Sequence, residues 1–200
     1  MVVAWLGWGA ILHADPAVRF PTGAAAWTVD VTASKIADKP IVLGGVAVKK
    51  VEVVQNSRIR SDTVSYYNGA SRTTYEVTGT NLLLTQDPKG TVFLTPASNI
   101  FKVPYLPSTF DWVGPALLQE KDPIEYEGKL CYHYKGPAGE AWVDSKTQFP
   151  VAIDNATALA TFTFHGAPDT PLALPPQYQQ LLNHYAAAMG LPRAKPVSTE

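Results

Sequence analysis

Few residues in this 200-residue chain are suited to chemistry. The histidines are His13, His133, His165 and His184. His133 and His165 fall in segments that read as strands able to lie side by side, and Asp144 is near the first in sequence. Imidazole and carboxylate are competent acid–base groups and metal ligands. A secreted hydrolase built on His133, His165 and Asp144 is therefore one reading. Their spacing matches no diagnostic pattern, and surface histidines on a solvated sheet face are the plainer reading. The chain has no Gly-x-Ser-x-Gly elbow, no His-Glu-x-x-His, no paired Cys-x-x-Cys and no phosphate loop. The expectation is a non-enzymatic protein with no catalytic residue, no cofactor and no metal. The single cysteine, Cys131, cannot close an internal disulfide and reads as a small core side chain. Asn155-Ala-Thr157 matches a glycosylation acceptor, which matters only in a eukaryotic secretory route.

The elements that must carry these residues are strands. From Tyr126 to Phe164 short strands follow one another with turns between: Tyr126 to Tyr134, Ala141 to Asp144, Phe149 to Asp154 and Ala160 to Phe164. Upstream, Trp27, Val29 and Val31 alternate with Thr28 and Asp30, the period of a half-buried strand. Ala33 to Lys39 suggests a short helical turn. Further strands are expected over Val46–Gln55, Arg58–Tyr67, Arg72–Val77, Asn81–Gln86 and Thr91–Thr95. Asn68-Gly69 is a hairpin signal, and Asp87-Pro-Lys-Gly90 has the chemistry of a four-residue turn. Turn signals recur about every ten residues, as in a large antiparallel sheet. Strand–helix alternation is missing, which disfavours a doubly wound fold.

Two helices are expected beside the strands. Ser108-Thr-Phe-Asp111 resembles a capping box opening a short helix towards Leu118, with Gly114-Pro115 as a kink or break. Pro176 to Met189 places Tyr178, Leu181, Leu182, Tyr185 and Met189 on one helical face. The predicted fold is mainly β (α+β): a large curved antiparallel sheet or half-barrel of about ten strands, with a short inserted helix and a C-terminal helix.

Composition narrows the function. Hydrophobic residues make up 46% and charged residues 16%, a globular balance with a lightly charged surface. The formal net charge is −1, and no basic stripe is present to meet phosphates, which argues against nucleic acid. Met1 to Leu12 is almost wholly apolar yet too short to span a bilayer. It reads as the core of a secretory signal over 1–14, with no Lys or Arg before it. The expected organisation is that signal, one β-rich domain over 15–192 and a flexible tail over 193–200, in a secreted or periplasmic bacterial protein.

Face parity along the strands gives aromatic walls. Phe162 and Phe164 share a face, as do Tyr132 and Tyr134. Tyr75, Phe93, Trp112, Tyr132, Tyr134, Trp142, Phe162 and Phe164 are the candidate wall or lid residues of an apolar pocket. The same aromatic face also reads as ordinary core packed by the helices.

The run YEGKLCYHYKG…AWVDSKTQFPVAI…TFTF resembles the bacterial periplasmic lipoprotein-carrier superfamily, with its LolA and LolB carriers and related lipid-binding and sigma-regulator sensor domains. The matching residues are Trp142-Val143-Asp144 and Phe149-Pro150-Val151. The resemblance implies an unclosed, strongly curved sheet covered by helices, with an apolar cavity for acyl chains. Its implied partner is a lipid or a lipidated protein. A protein-interaction or sensor module on the same fold is the alternative. The carriers' long N-terminal helix is not evident before Trp27, and their lid-controlling arginine has no matching position here.

Overall fold

The structure, a computed structural model, describes residues 18–39, 41–78, 80, 82–86, 90–96 and 103–190. The expected signal segment, positions 87–89 of the expected four-residue turn and the expected tail lie outside the described residues.

Eleven strands form one antiparallel sheet. They are β1 (Ala25–Ala33), β2 (Val48–Gln55), β3 (Ile59–Tyr66), β4 (Ser71–Val77), β5 (Leu82–Gln86), β6 (Val92–Pro96), β7 (Ile124–Tyr126), β8 (Lys129–Gly136), β9 (Gly139–Asp144), β10 (Pro150–Asp154) and β11 (Ala158–His165). Their order is β6-β5-β4-β3-β2-β1-β11-β10-β9-β8-β7, so β6 and β7 are open edges and the sheet does not close. Two meanders meet at β1 and β11, where Trp27 faces Phe164 and Val29 faces Phe162. Adjacent strands rotate by about 20–25°, so a sheet this wide must coil.

The sequence reading of a mainly β, single-sheet chain with a C-terminal helix is what the structure shows. Three local details differ. The expected helix from Ser108 is instead two 3-10 turns, Pro107–Phe110 and Pro115–Leu117. Pro107 takes the first helical position, and no side chain caps the turn. Gly114 is extended before Pro115, as the ring of a following proline demands, and this ends any helix. The first strand of the 126–164 run is also split. Glu127 and Gly128 both have positive φ, as a type I′ turn requires, and Tyr126 pairs directly with Lys129.

The weak helical turn expected over Ala33–Lys39 is a side-chain-built bend. Ser34 Oγ accepts the N–H groups of Ile36 and Ala37 and donates to Asp154 Oδ1 at 2.6 Å. Lys35 N–H donates to Asp154 Oδ2 at 2.7 Å. These bonds satisfy the fully buried Asp154 and fasten the end of β1 to the β10–β11 hairpin.

Because side chains alternate across a strand, each half of the sheet has two faces to cover. Trp27, Val29, Val31, Val51, Val53, Ala141, Val143, Ala160 and Phe162 share what we call the aromatic face. The opposite face of β4–β6 carries Tyr75, Leu84 and Leu94, and α1 (Pro176–Ala188) lays Tyr178 and Leu182 on it. We call this the helix face. Pro175 and Pro176 open α1, and Gly190 follows its end with φ 65°.

Gly139 begins β9 with φ 125°, and a Cβ there would run into the carbonyl oxygen of Asp154. Gly139→Ala is expected to lower stability by about 2 kcal/mol or more. Gly166, with open space around it, should tolerate Ala within about 0.5 kcal/mol. Urea midpoints of the two variants provide the comparison.

Candidate functional site

The aromatic face holds the largest run of packed rings. Phe162 lies 5.5 Å from Phe110 and 6.2 Å from Phe20, centroid to centroid. Phe164 lies 5.8 Å from Trp27 and 4.8 Å from Phe149. Small residues opposite these rings make the room: Ala141 and Ala160 are fully buried in the same cluster.

Segment 103–118 covers this face. Val103, Phe110, Trp112, Val113 and Leu118 pack into the aromatic cluster. The segment closes on β8 by main chain, with Leu118 bridged to Tyr134 and Gln119 N–H donating to His133 C=O at 2.9 Å. Gly136 lets it approach, since a Cβ there would sit 2.9 Å from Leu117 Cδ1 and 3.1 Å from the Trp112 ring.

The predicted wall residues divide between faces. Trp112, Tyr132, Tyr134, Phe162 and Phe164 join the one aromatic cluster. Phe93 has the same parity but sits on edge strand β6, beyond the polar positions of β3–β5. Tyr75 is on the helix face, its ring 5.0 Å from Tyr178. Trp142 is also on the opposite face, stacked between Tyr126 at 4.4 Å and His133 at 5.1 Å. Phe20, Trp27, Phe110 and Phe149 were not among the expected wall residues. Trp27 was legible as a buried strand position, but its neighbours depend on the β1–β11 pairing. Phe20 lies in a stretch with no periodicity to read.

His133, His165 and Asp144 do not converge. His133 sits opposite Trp142, which faces Ala152, which faces Thr161, and His165 lies four residues beyond Thr161. At about 4.8 Å per strand and 3.4 Å per residue, the two histidines are on the order of 15–20 Å apart. The Asp144 carboxylate instead accepts from Lys146 N–H, Thr147 N–H and Thr147 Oγ1 in its own turn. Burial pushes its carboxyl up, but these hydrogen bonds outweigh that and hold it below the ordinary value. Among the described residues, no three His, Cys, Asp or Glu side chains are placed to hold a metal. Cys131 is buried and unpaired, and burial pushes its thiol up to about 11, which suits core and not nucleophile.

His133 has a different setting. Its Nε2 meets Glu140 at 3.0 Å, and its Nδ1 lies 3.6 Å from Glu120, just after the cover. Lys135 Nζ binds the other oxygen of Glu140 at 2.6 Å. Burial pushes Glu140 up, but the bonds from Lys135 and His133 outweigh it and hold the carboxyl below its usual range. This cluster helps anchor the exit of the cover to β8 and β9.

The aromatic face turns polar on β3–β5, a feature the sequence reading passed over. Asp62 is fully buried and receives Arg60 Nε at 3.1 and 3.0 Å on its two oxygens. Arg60 also binds Glu76 at 2.8 Å. Thr85 Oγ1 donates to buried Thr74 beside them. Burial pushes Asp62 up to about 6, against the pull of Arg60. The available signal was the alternation of Arg60 and Asp62, matched by Arg72, Thr74 and Glu76 on the next strand.

The chain matches no protein-family model and no curated protein. Among the described residues, no helix is long and apolar enough to cross a membrane.

A carboxyl whose folded pKa is raised binds more protons in the folded than in the unfolded chain between the two values. Asp62 is therefore expected to withdraw stability as pH rises from about 4 to about 6. Asp62→Asn should lack that component. The difference in urea midpoint between wild type and variant, followed across this range, should move in favour of Asn as pH rises.

Proposed function

We propose that this protein is a non-enzymatic binder of a hydrophobic ligand, a lipid or the acyl chain of a lipidated protein. The ligand would lie on the aromatic face beneath segment 103–118, in a secreted or periplasmic setting. The observation that carries this reading is the nature of the cover. It is two 3-10 turns and irregular chain set against an otherwise regular sheet. It meets the sheet through apolar side chains, with main-chain links at Leu118 and Gln119. Lifting it breaks no strand ladder of the eleven-stranded sheet.

The energetics suit exchange. Apolar surface removed from water is stabilised by about 25 cal/mol per Å². An acyl chain that replaces Phe110 and Trp112 on the sheet restores much of the burial lost when they leave. The net free energy is then a small difference that a ligand can tip. The width of the sheet and its unclosed edges leave the face accessible once the cover moves.

One observation favours a second reading. Phe110 is itself buried against Phe162, so in this conformation the face is filled by the chain's own rings. A closed module that docks a protein, or acts as a sensor, would look the same. The separation of His133 from His165 gives the hydrolase reading no assembled site.

Native mass spectrometry of the protein purified from a bacterial periplasm separates the two readings. The expected result is a one-to-one adduct of lipid mass, or uptake of added long-chain lipid. Phe162→Glu should abolish uptake. Because a buried charge can also unfold the protein, Trp112→Ala is the companion variant, expected to fold and to take up lipid several-fold faster. A clean apo mass with no uptake by wild type or Trp112→Ala would discard the ligand-binding reading in favour of the docking module.

A further inference from the structure

The aromatic face contains a polar atom that packing alone does not explain. Trp27 is 2% exposed, and its Nε1 has no hydrogen-bond partner. Indole Nε1–H is a donor and cannot accept. A buried donor without an acceptor is costly, so such an atom calls for an explanation. The rings of Phe20 and Phe164 flank the indole at 6.0 and 5.8 Å and offer π faces, which are weak acceptors. Gln148 Oε1 is a second buried atom without a partner, and it is an acceptor. The two therefore do not reach each other.

The charges around Trp27 are equally telling. The aromatic-face positions of β1, β9, β10 and β11 are Gly, Ala, Pro, Trp, Val, Ile and Phe, none of them charged. On this face Arg60 is already shared between Asp62 and Glu76, two strands away from β1. Among the described residues, the aromatic-face positions of these four strands offer a ligand carboxylate beside Trp27 no cation, and burying an unpaired charge is heavily disfavoured. A ligand ammonium would bring a donor to a donor, and a hydroxyl could accept from the indole but would have to bury its own O–H donor as well. A neutral carbonyl oxygen fits both constraints.

Resting on the ligand-binding reading above, we infer that Trp27 Nε1 donates to the carbonyl of a neutral acyl ester or amide, so that the site takes esterified or amide-linked acyl chains in preference to free fatty acids. This is a selection by one hydrogen bond inside an apolar site. Trp27 sits at the junction of β1 and β11, where the ligand's carbonyl end would be held, while its chain runs along Phe162 beneath the cover.

Three probes of one chain length test this on the full protein: methyl oleate, oleate and the corresponding hydrocarbon, each in competition with a fluorescent apolar dye at pH 7. Wild type is expected to bind the ester about fivefold to tenfold more tightly than the hydrocarbon. Oleate should be the weakest of the three. Trp27→Phe keeps an aromatic ring and removes the N–H. It should lose the ester preference, so that ester and hydrocarbon compete about equally. Equal binding of ester and hydrocarbon by wild type, or oleate binding as well as the ester, would overturn the assignment while leaving ligand binding intact. So would a Trp27→Phe protein that keeps the preference. Failure of every probe to bind wild type would remove the ligand-binding reading and this inference together.

Discussion

The molecule depends on the ladder between β1 and β11. It pairs eight residues of a strand near the start of the described chain with the last strand of the sheet, Ala26 with His165 through Ala33 with Ala158. Every other neighbouring pair in the sheet joins strands that follow one another in sequence, apart from the turns between them. The two meanders, β1–β6 and β7–β11, are each local structures that gain a common core through this one long-range pairing. It brings Trp27 and Val29 beside Phe164 and Phe162, and so creates the aromatic face. Closing such a loop costs chain entropy before its contacts form, and long-range pairing of this kind is slow to fold. The Asp154 carboxylate, bonded to Ser34 and Lys35, fastens the far end of the same ladder.

From this pairing follows a division of labour between faces. The β4–β6 half buries its opposite side under α1, while the β8–β11 half buries its aromatic side under segment 103–118. The two covers differ physically. The helix satisfies its own backbone and presents a continuous apolar stripe. The 103–118 cover relies on 3-10 turns and side-chain packing, with polar ties at its exit through His133, Glu120 and Glu140. The difference matters because an element that makes few ladder bonds opens at lower cost than one woven into a sheet.

The aromatic face is also electrostatically graded. Around Trp27 it is hydrocarbon with one unpaired donor, and two strands past β1 it becomes the Arg60–Asp62–Glu76 network. Charges that satisfy one another leave little field for an ionic ligand. On the proposed ligand-binding reading, such a gradient from neutral apolar to internally compensated polar would suit an acyl group with a neutral head better than a free anion.

Much of this architecture is determined by local sequence. Alternation in Trp27–Val31, the Asn68-Gly69 turn, the spacing of turn residues and the helical stripe of Tyr178 and Leu182 identify strands, hairpins and the final helix, because each is a property of neighbouring residues. The turn at Glu127-Gly128 escaped notice because glutamate carries no turn signature of its own. Partnership was decided elsewhere. Parity along Tyr75 and Trp142 shows that each has two sides, but which side meets Phe162 depends on strand order, and strand order is fixed by the β1–β11 pairing across more than a hundred residues. The same holds for His133 and His165, which share a face yet stand three strands apart, and for Trp27, whose orphan N–H exists only once Phe20, Phe164 and the cover have enclosed it. Sequence sets the period of each strand; burial from both ends of the chain decides what each side chain faces.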